Sequence, residues 1–206
     1  MNSQIGKILE SGNRSATVTR ETRETQITVK LSLDGTGVTN VNTGVGFYDH
    51  LLSALAHHAL FDLDVTAAGD LVIDEHHTVE DVALVFGAAI AAALEDRSGI
   101  VRFGDAAVPM DESVATAVVD VGGRPYAVID LPFKGKRAGK MPLELIDHVF
   151  ESLARAGGIT LHVKGRGRND HHLAEAAFKA TGRALCAACA VDPRRRGVAS
   201  TKGSLG

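Results

Sequence analysis

The chain has 206 residues, 45% of them hydrophobic, enough to build a sizeable core in one domain or two small ones. A net charge of −3 and a pI of about 6.3 exclude a dedicated nucleic-acid binder. The N-terminus has no apolar stretch resembling a signal peptide, and the longest apolar run, Val82 to Leu94, is too short to cross a bilayer; a cytoplasmic chain with no membrane partner is expected.

Residues 1–14 are expected to form a mobile N-terminal segment. "SATVTRET" and "TQITVKLSL" then alternate apolar and polar residues, as half-buried antiparallel strands do, and Asp34-Gly35 starts a turn. Glu24, between these strands, reads by itself as one more charge on an exposed strand. Phe47, Leu51, Leu55 and His58 have helical spacing, Phe61 to Val65 predicts a short strand, and His76 to Leu94 predicts a second, almost wholly apolar helix. In the second half, "SVATAVVDV" and "PYAVIDL" are taken as counterparts of the two opening strands. "RALCAACAV" reads as an apolar helix, which makes Cys186 and Cys189 plain core cysteines of a reducing compartment.

The chain repeats itself. "DHLLSALAHHALFDLDV" from Asp49 aligns with "DHVFESLARAGGITLHV" from Asp147, and a His-His-x-x-Glu follows each, at His76-His77 and at His171-His172. A duplicated α/β unit is expected, residues 15–104 and 105–206, each an α+β two-layer sandwich with helices on one face of a mixed sheet.

The paired histidines carry the chemistry. Neighbouring helical residues project about 100° apart, so one pair does not readily chelate one ion. Glu80 stands four residues after His76, and Glu175 four after His171, on shared helix faces; Glu80 is also three after His77, so spacing leaves the pairing open. With His50 and His148, the inventory of six imidazoles and two carboxylates suffices for two metals with free coordination positions. Such a set suits Mn, Fe, Ni or Zn, and a six-coordinate N/O environment favours Mn(II). Asp49 and Asp147 are read either as acceptors orienting the neighbouring rings or as helix N-terminal charges. His57 is expected at the surface and His162 in a structural role. The C-terminal "DPRRRGVASTKGSLG", with Ser200, Thr201 and Lys202, offers hydroxyls, an ammonium and backbone N–H groups to a phosphate. Arg102 and Arg124, near glycine-rich turns, add guanidinium forks, and "PMDES" lies in the same region.

In their order along the chain, "GVGFYDHLL", "EHHTVED", "GIVRFG" with "PMDES", "DHHLAEAAFKATGRAL" and "STKG" resemble imidazoleglycerol-phosphate dehydratase, the dehydrating enzyme of histidine biosynthesis. The likeness runs from Arg20 to the end. It departs at Ala199, where the family usually has Pro, and at Ser53-Ala54, which replace a commoner Asp-Gln. The resemblance implies a duplicated unit like the second domain of ribosomal protein S5, and a twenty-four-chain octahedral homo-oligomer. It also implies two Mn(II) ions per active site where subunits meet. One ion would take His76, Glu80, His148 and His172, the other His50, His77, His171 and Glu175. It further implies loss of water through a metal-bound imidazolate and a diazafulvene-like intermediate, with Glu24 as acid/base and Arg102, Arg124, Lys179, Ser200, Thr201 and Lys202 around the substrate phosphate; His58 would contact substrate. The rivals are a dinuclear metallohydrolase of a phosphate ester, which would usually be richer in bridging aspartates, and a non-catalytic metal-binding protein, which would need neither Glu24 nor the anion residues.

Overall fold

The computed structural model describes residues 5–205. The first half runs β1 (Lys7–Gly12), β2 (Ser15–Glu21), β3 (Thr25–Ser32), β4 (Thr39–Asn42), α1 (Gly46–Ala59), β5 (Asp62–Gly69) and α2 (His76–Leu94). The second runs β6 (Phe103–Met110), β7 (Ser113–Asp120), β8 (Tyr126–Asp130), the short pair β9 (Arg137–Ala138) and β10 (Met141–Pro142), then α3 (Glu144–Gly157), β11 (Thr160–Arg166) and α4 (Asp170–Cys189). The class is mixed α/β.

Period-two alternation decides which face of each strand is buried. On β3, Ile27, Val29 and Leu31 are buried while Gln26 and Lys30 are exposed. Registers Val18↔Val29 and Val29↔Val65 stack buried valines across three antiparallel strands, and Val119↔Leu161 and Ala117↔Val163 pair buried apolar residues of β7 and β11 in the other sheet. Each fully buried Val, Leu or Phe contributes about 1.5–3 kcal/mol relative to exposure. The strand orders are β1-β2-β3-β5-β4 and β6-β7-β11-β8; β4 lies parallel to β5, and β8 parallel to β11.

Two strand expectations are corrected. Lys7–Gly12, inside the expected N-terminal segment, pairs with β2 as an edge strand, and its side chains are almost all exposed, so no buried alternation marked it; residues 1–4 of that segment lie outside the described residues. Phe103–Met110 is a strand too, pairing with β7. It occupies a sheet edge, where Pro109 is tolerated, and Gly104 and two alanines blur its pattern. "SVATAVVD" is therefore placed like β3, not β2, and "PYAVIDL" contributes the parallel strand placed like β4.

The helices cover one face of each sheet and then pack on one another across the halves. A Cβ added to Gly87 of α2 would lie 2.5 Å from the Leu153 carbonyl oxygen of α3, and one added to Gly182 of α4 would lie 2.2 Å from that of Leu55 of α1. Backbones therefore touch at both crossings, α2 against α3 and α4 against α1. Among the described residues, α2 alone is long and apolar enough to cross a membrane, but it is 72% buried inside the fold, its apolar girth filling the space between a sheet and α3.

Candidate metal centre and anion groove

Both histidine pairs open a helix. The Asn169 side chain caps α4, accepting from the backbone N–H groups of His171 and His172, whereas α2 has no side-chain cap at Glu75, and Asp74, one residue earlier, accepts from the backbone N–H of His76. Within a pair the rings stand nearly perpendicular, centroids 6.1 Å apart, at 79° for His76–His77 and 81° for His171–His172. The two members face different surroundings, as the 100° step requires.

The crossing of α4 on α1 brings His50 to one pair. Its Nε2 lies 3.2 Å from Glu175 Oε2, and His171 Nε2 lies 2.8 Å from Glu175 Oε1. One donor atom from each of these three residues falls within 4.8 Å of the others, a span one ion can bridge; among the described residues this is the one cluster so tight. Glu175 is buried. Burial opposes its charge, yet hydrogen bonds from Lys179, at 2.7 Å, and from His50 outweigh it and hold its pKa at about 2. The mirror crossing of α2 on α3 sets His148 beside His76, ring centroids 5.3 Å apart, with Glu80 Oε2 3.7 Å from His76 Nε2. This second cluster is looser, and Arg155 reaches Glu80 at 3.2 Å.

His77 and His172 turn elsewhere. His77 Nδ1 donates to Asp70, at 3.0 and 3.3 Å, and lies 3.8 Å from Glu24. His172 Nδ1 donates to Glu112 at 3.0 Å and lies 3.8 Å from Asp111. These hydrogen bonds raise both imidazole pKa values, and the bond from His172 is the largest cause of a strongly depressed Glu112 pKa. Each four-ligand set expected from the sequence is thus three-quarters assembled within one chain. Asp49 does not orient a ring, since it accepts from the backbone N–H and hydroxyl of Thr43. Asp147 Oδ1 is buried without a hydrogen bond, and burial raises that carboxyl's pKa.

The arginines and the C-terminal loop form a separate groove of about 350 Å³, lined by Arg102, Arg124, Ser200, Thr201 and Lys202 among others. Asp120 grips Arg102 through two hydrogen bonds of 2.7 and 2.8 Å, and the same guanidinium donates to the Ala199 carbonyl at 2.6 Å. Arg102 therefore pins the C-terminal loop, and Gly122 leaves it room, because a Cβ there would meet its guanidinium at 2.8 Å. Arg124 is more exposed, 4.0 Å from Asp120. Lys179 is not in this groove; it stands at the His50–His171–Glu175 cluster. His58 lines another groove, with His57, Arg183 and Cys186, where burial and neighbouring cations lower its pKa. The Arg102 backbone N–H donates to Ala188, near the C-terminal end of α4, whereas His171 sits near its start. Seventeen residues at 1.5 Å each put about 25 Å of helix between the two places.

Sequence reasoning did not single out Asp70, Asp120 or Arg155, and it noted Glu112 only within an arginine-containing stretch. A hairpin-turn carboxylate in "PMDES" was the available signal for Glu112. For Asp70, seven residues before His77 in a loop, no local periodicity applies.

The family model described as imidazoleglycerol-phosphate dehydratase matches residues 43–185. The chain is 53% identical to the imidazoleglycerol-phosphate dehydratase of Methanoculleus marisnigri over 192 residues, covering 93% of this chain and all of that protein. Against that of Acidiphilium cryptum the identity is 52% over 195 residues, 94% of this chain and all of the relative. The crystal structure of the Pyrococcus furiosus enzyme superposes with a TM-score of 0.78 at 34% identity, covering 91% of this chain and 99% of the other. The chain belongs to the imidazoleglycerol-phosphate dehydratase family, whose members are hydro-lyases.

Proposed function

We propose that this chain dehydrates imidazoleglycerol phosphate to imidazoleacetol phosphate and water, a step of histidine biosynthesis, in the cytoplasm and with two Mn(II) ions per active site. Family membership supports the substrate. The observation that carries the metal requirement is the tight His50–His171–Glu175 cluster, with its looser mirror at His76, Glu80 and His148. Imidazole nitrogens around a buried, ionised carboxylate form an N/O donor set that fits such an ion. His77 would complete the first set and His172 the second. When bound, the ions supply Lewis acidity to the substrate's imidazole ring.

The chain's own residues do the rest. Glu24 would take a proton from the substrate side chain and return it, a role supported by its standing 3.8 Å from His77 with its side chain over half exposed. Arg102, Arg124, Ser200, Thr201 and Lys202 receive the phosphate, while Lys179 meets substrate from the metal end; His58 lies on α1, the helix that carries His50. The length of α4 between the metal end and the arginine groove exceeds the span of a small phosphorylated molecule. One chain therefore does not supply both ends, and neighbouring copies complete each site, in keeping with a homo-oligomer of twenty-four chains. The matching strand orders and mirrored helix crossings support reading the chain as two copies of one unit, of the ribosomal protein S5 domain 2 type, with the division falling before β6 rather than between residues 104 and 105.

A steady-state assay on imidazoleglycerol phosphate, with metal counted in the same sample, tests this. Turnover that vanishes with EDTA and returns best with Mn(II) is expected. Release of inorganic phosphate would mean a hydrolase, and full turnover by metal-free protein would sink the metal reading. His77→Ala and His172→Ala should each lower metal content and loosen the assembly; unchanged stoichiometry would contradict the ligand sets.

A further inference from the structure

Six carboxylates come within 4 Å of the histidines of the paired sites; Glu24 and Asp111 stand furthest, at 3.8 Å, and the ring nitrogen met by the other four divides them. Glu175 and Glu80 face Nε2, of His171 and His50 in the first case and of His76 in the second. Asp70 and Glu112 face Nδ1, of His77 and of His172, both at 3.0 Å. A carboxylate accepts and does not donate, so the proton of each of these two rings sits on Nδ1 and the lone pair is left on Nε2. The first kind of carboxylate stands where an ion would be shared; the second sets the tautomer and orientation of a ligand ring.

The halves fill this second role from different places in the fold. Glu24 lies in the β2–β3 turn and Glu112 in the β6–β7 turn, corresponding points of the two sheets, each near Nδ1 of the second histidine of its pair. Glu112 is fully committed. One oxygen accepts from the backbone N–H groups of Arg168 and Asn169, at 3.0 and 2.7 Å, and from the Ser113 hydroxyl at 2.9 Å, while the other accepts from His172. The β11–α4 connection, Gly167-Arg168-Asn169, holds no carboxylate to relieve it. In the first half the β5–α2 loop supplies Asp70, which takes His77 Nδ1, and Glu24 stays at 3.8 Å with its side chain 54% exposed.

We infer that Asp70 and Glu112 are positioning residues that present Nε2 of His77 and His172 to the metals, and that Asp70, by taking this role, releases Glu24 for proton transfer. The inference rests on the metal-centre reading above.

The experiment strips the full-length protein of metal and measures Mn(II) dissociation constants by competition with a chromophoric chelator, alongside kcat. Asp70→Ala and Glu112→Ala should weaken metal binding about 10–100-fold. Asp70→Asn, whose amide oxygen still accepts from Nδ1, should recover most of the loss, which a merely space-filling role would not predict. Glu24→Gln should leave metal affinity within about threefold while kcat falls about 10²–10⁴-fold. Should Glu112→Ala fail to fold, the Asp70 series decides. Wild-type uptake with undiminished affinity in Asp70→Ala overturns the inference alone, as does equal metal loss in Glu24→Gln. A wild-type chain that takes up no metal overturns the metal-centre reading and this inference together.

Discussion

Gly182→Ala probes the contact that assembles the tighter candidate metal cluster, His50, His171 and Glu175. The new Cβ would lie 2.2 Å from the Leu55 carbonyl oxygen, and the two nearest other atoms, at 3.1 and 3.2 Å, are also Leu55 backbone. A comfortable C···O contact is about 3.3 Å, so α1 and α4 must separate by about 1 Å. Neither partner is a flexible side chain, so the strain falls on the helix pair and should cost about 1–3 kcal/mol, as overpacking does. The same movement would carry His50, now 3.2 Å from Glu175, to about 4 Å and loosen a donor triangle that needs tolerances of a few tenths of an ångström. Urea unfolding of the metal-free protein should show a lower midpoint with an unchanged slope, and chelator competition should show weaker metal binding. Gly46→Ala is the control on α1, because nothing lies within 4 Å of its added Cβ. It should leave the midpoint unchanged or slightly raised. A Gly182→Ala protein with wild-type midpoint and metal affinity would refute the argument that backbone contact at this crossing builds the cluster.

Arg102→Lys replaces a planar fork with a point charge and loses the paired bond to Asp120 and the bond to Ala199. Limited proteolysis should cut the C-terminal loop faster, and KM should rise about tenfold or more for the loss of roughly 1.4 kcal/mol, with a smaller effect on kcat; a loop cut at the wild-type rate would remove Arg102 as its anchor. Asp62 accepts backbone N–H bonds from Val38 and Thr36, which depress its pKa. Its contribution to stability is therefore complete above the ordinary aspartate range and fades as pH falls below that range through the depressed pKa of the folded state. Asp62→Asn should flatten that part of the acid limb of stability against pH, and parallel profiles for the two proteins would contradict the assignment. Burial pushes the Cys189 thiol up to about 12, whereas Cys186 is partly exposed and lines a groove. Ellman's reagent at pH 8 should find about one reactive thiol per folded chain and a second only in denaturant; rapid reaction of both would place Cys189 outside the core.

Much of this molecule is written in short-range spacing. Alternation marked β2, β3, β5, β7 and β8, and the same reasoning set Glu80 beside His76 and Glu175 beside His171, because four residues along a helix return to one face whatever surrounds it. Edge strands β1 and β6 escaped because an edge needs no buried face and admits Pro109 and Gly104. The 100° step also told that adjacent histidines would serve different places, but not which places. That His50 joins Glu175 and His148 joins His76 depends on two glycine-lined helix crossings, between residues 125 and 72 positions apart in sequence. That Asp70 and not Glu24 holds His77, and that Arg102 lies a helix length from His171, depends on loop paths and sheet edges. Local periodicity follows from backbone geometry and is legible residue by residue; which distant surfaces meet follows from how whole faces pack, and only the folded chain decides it.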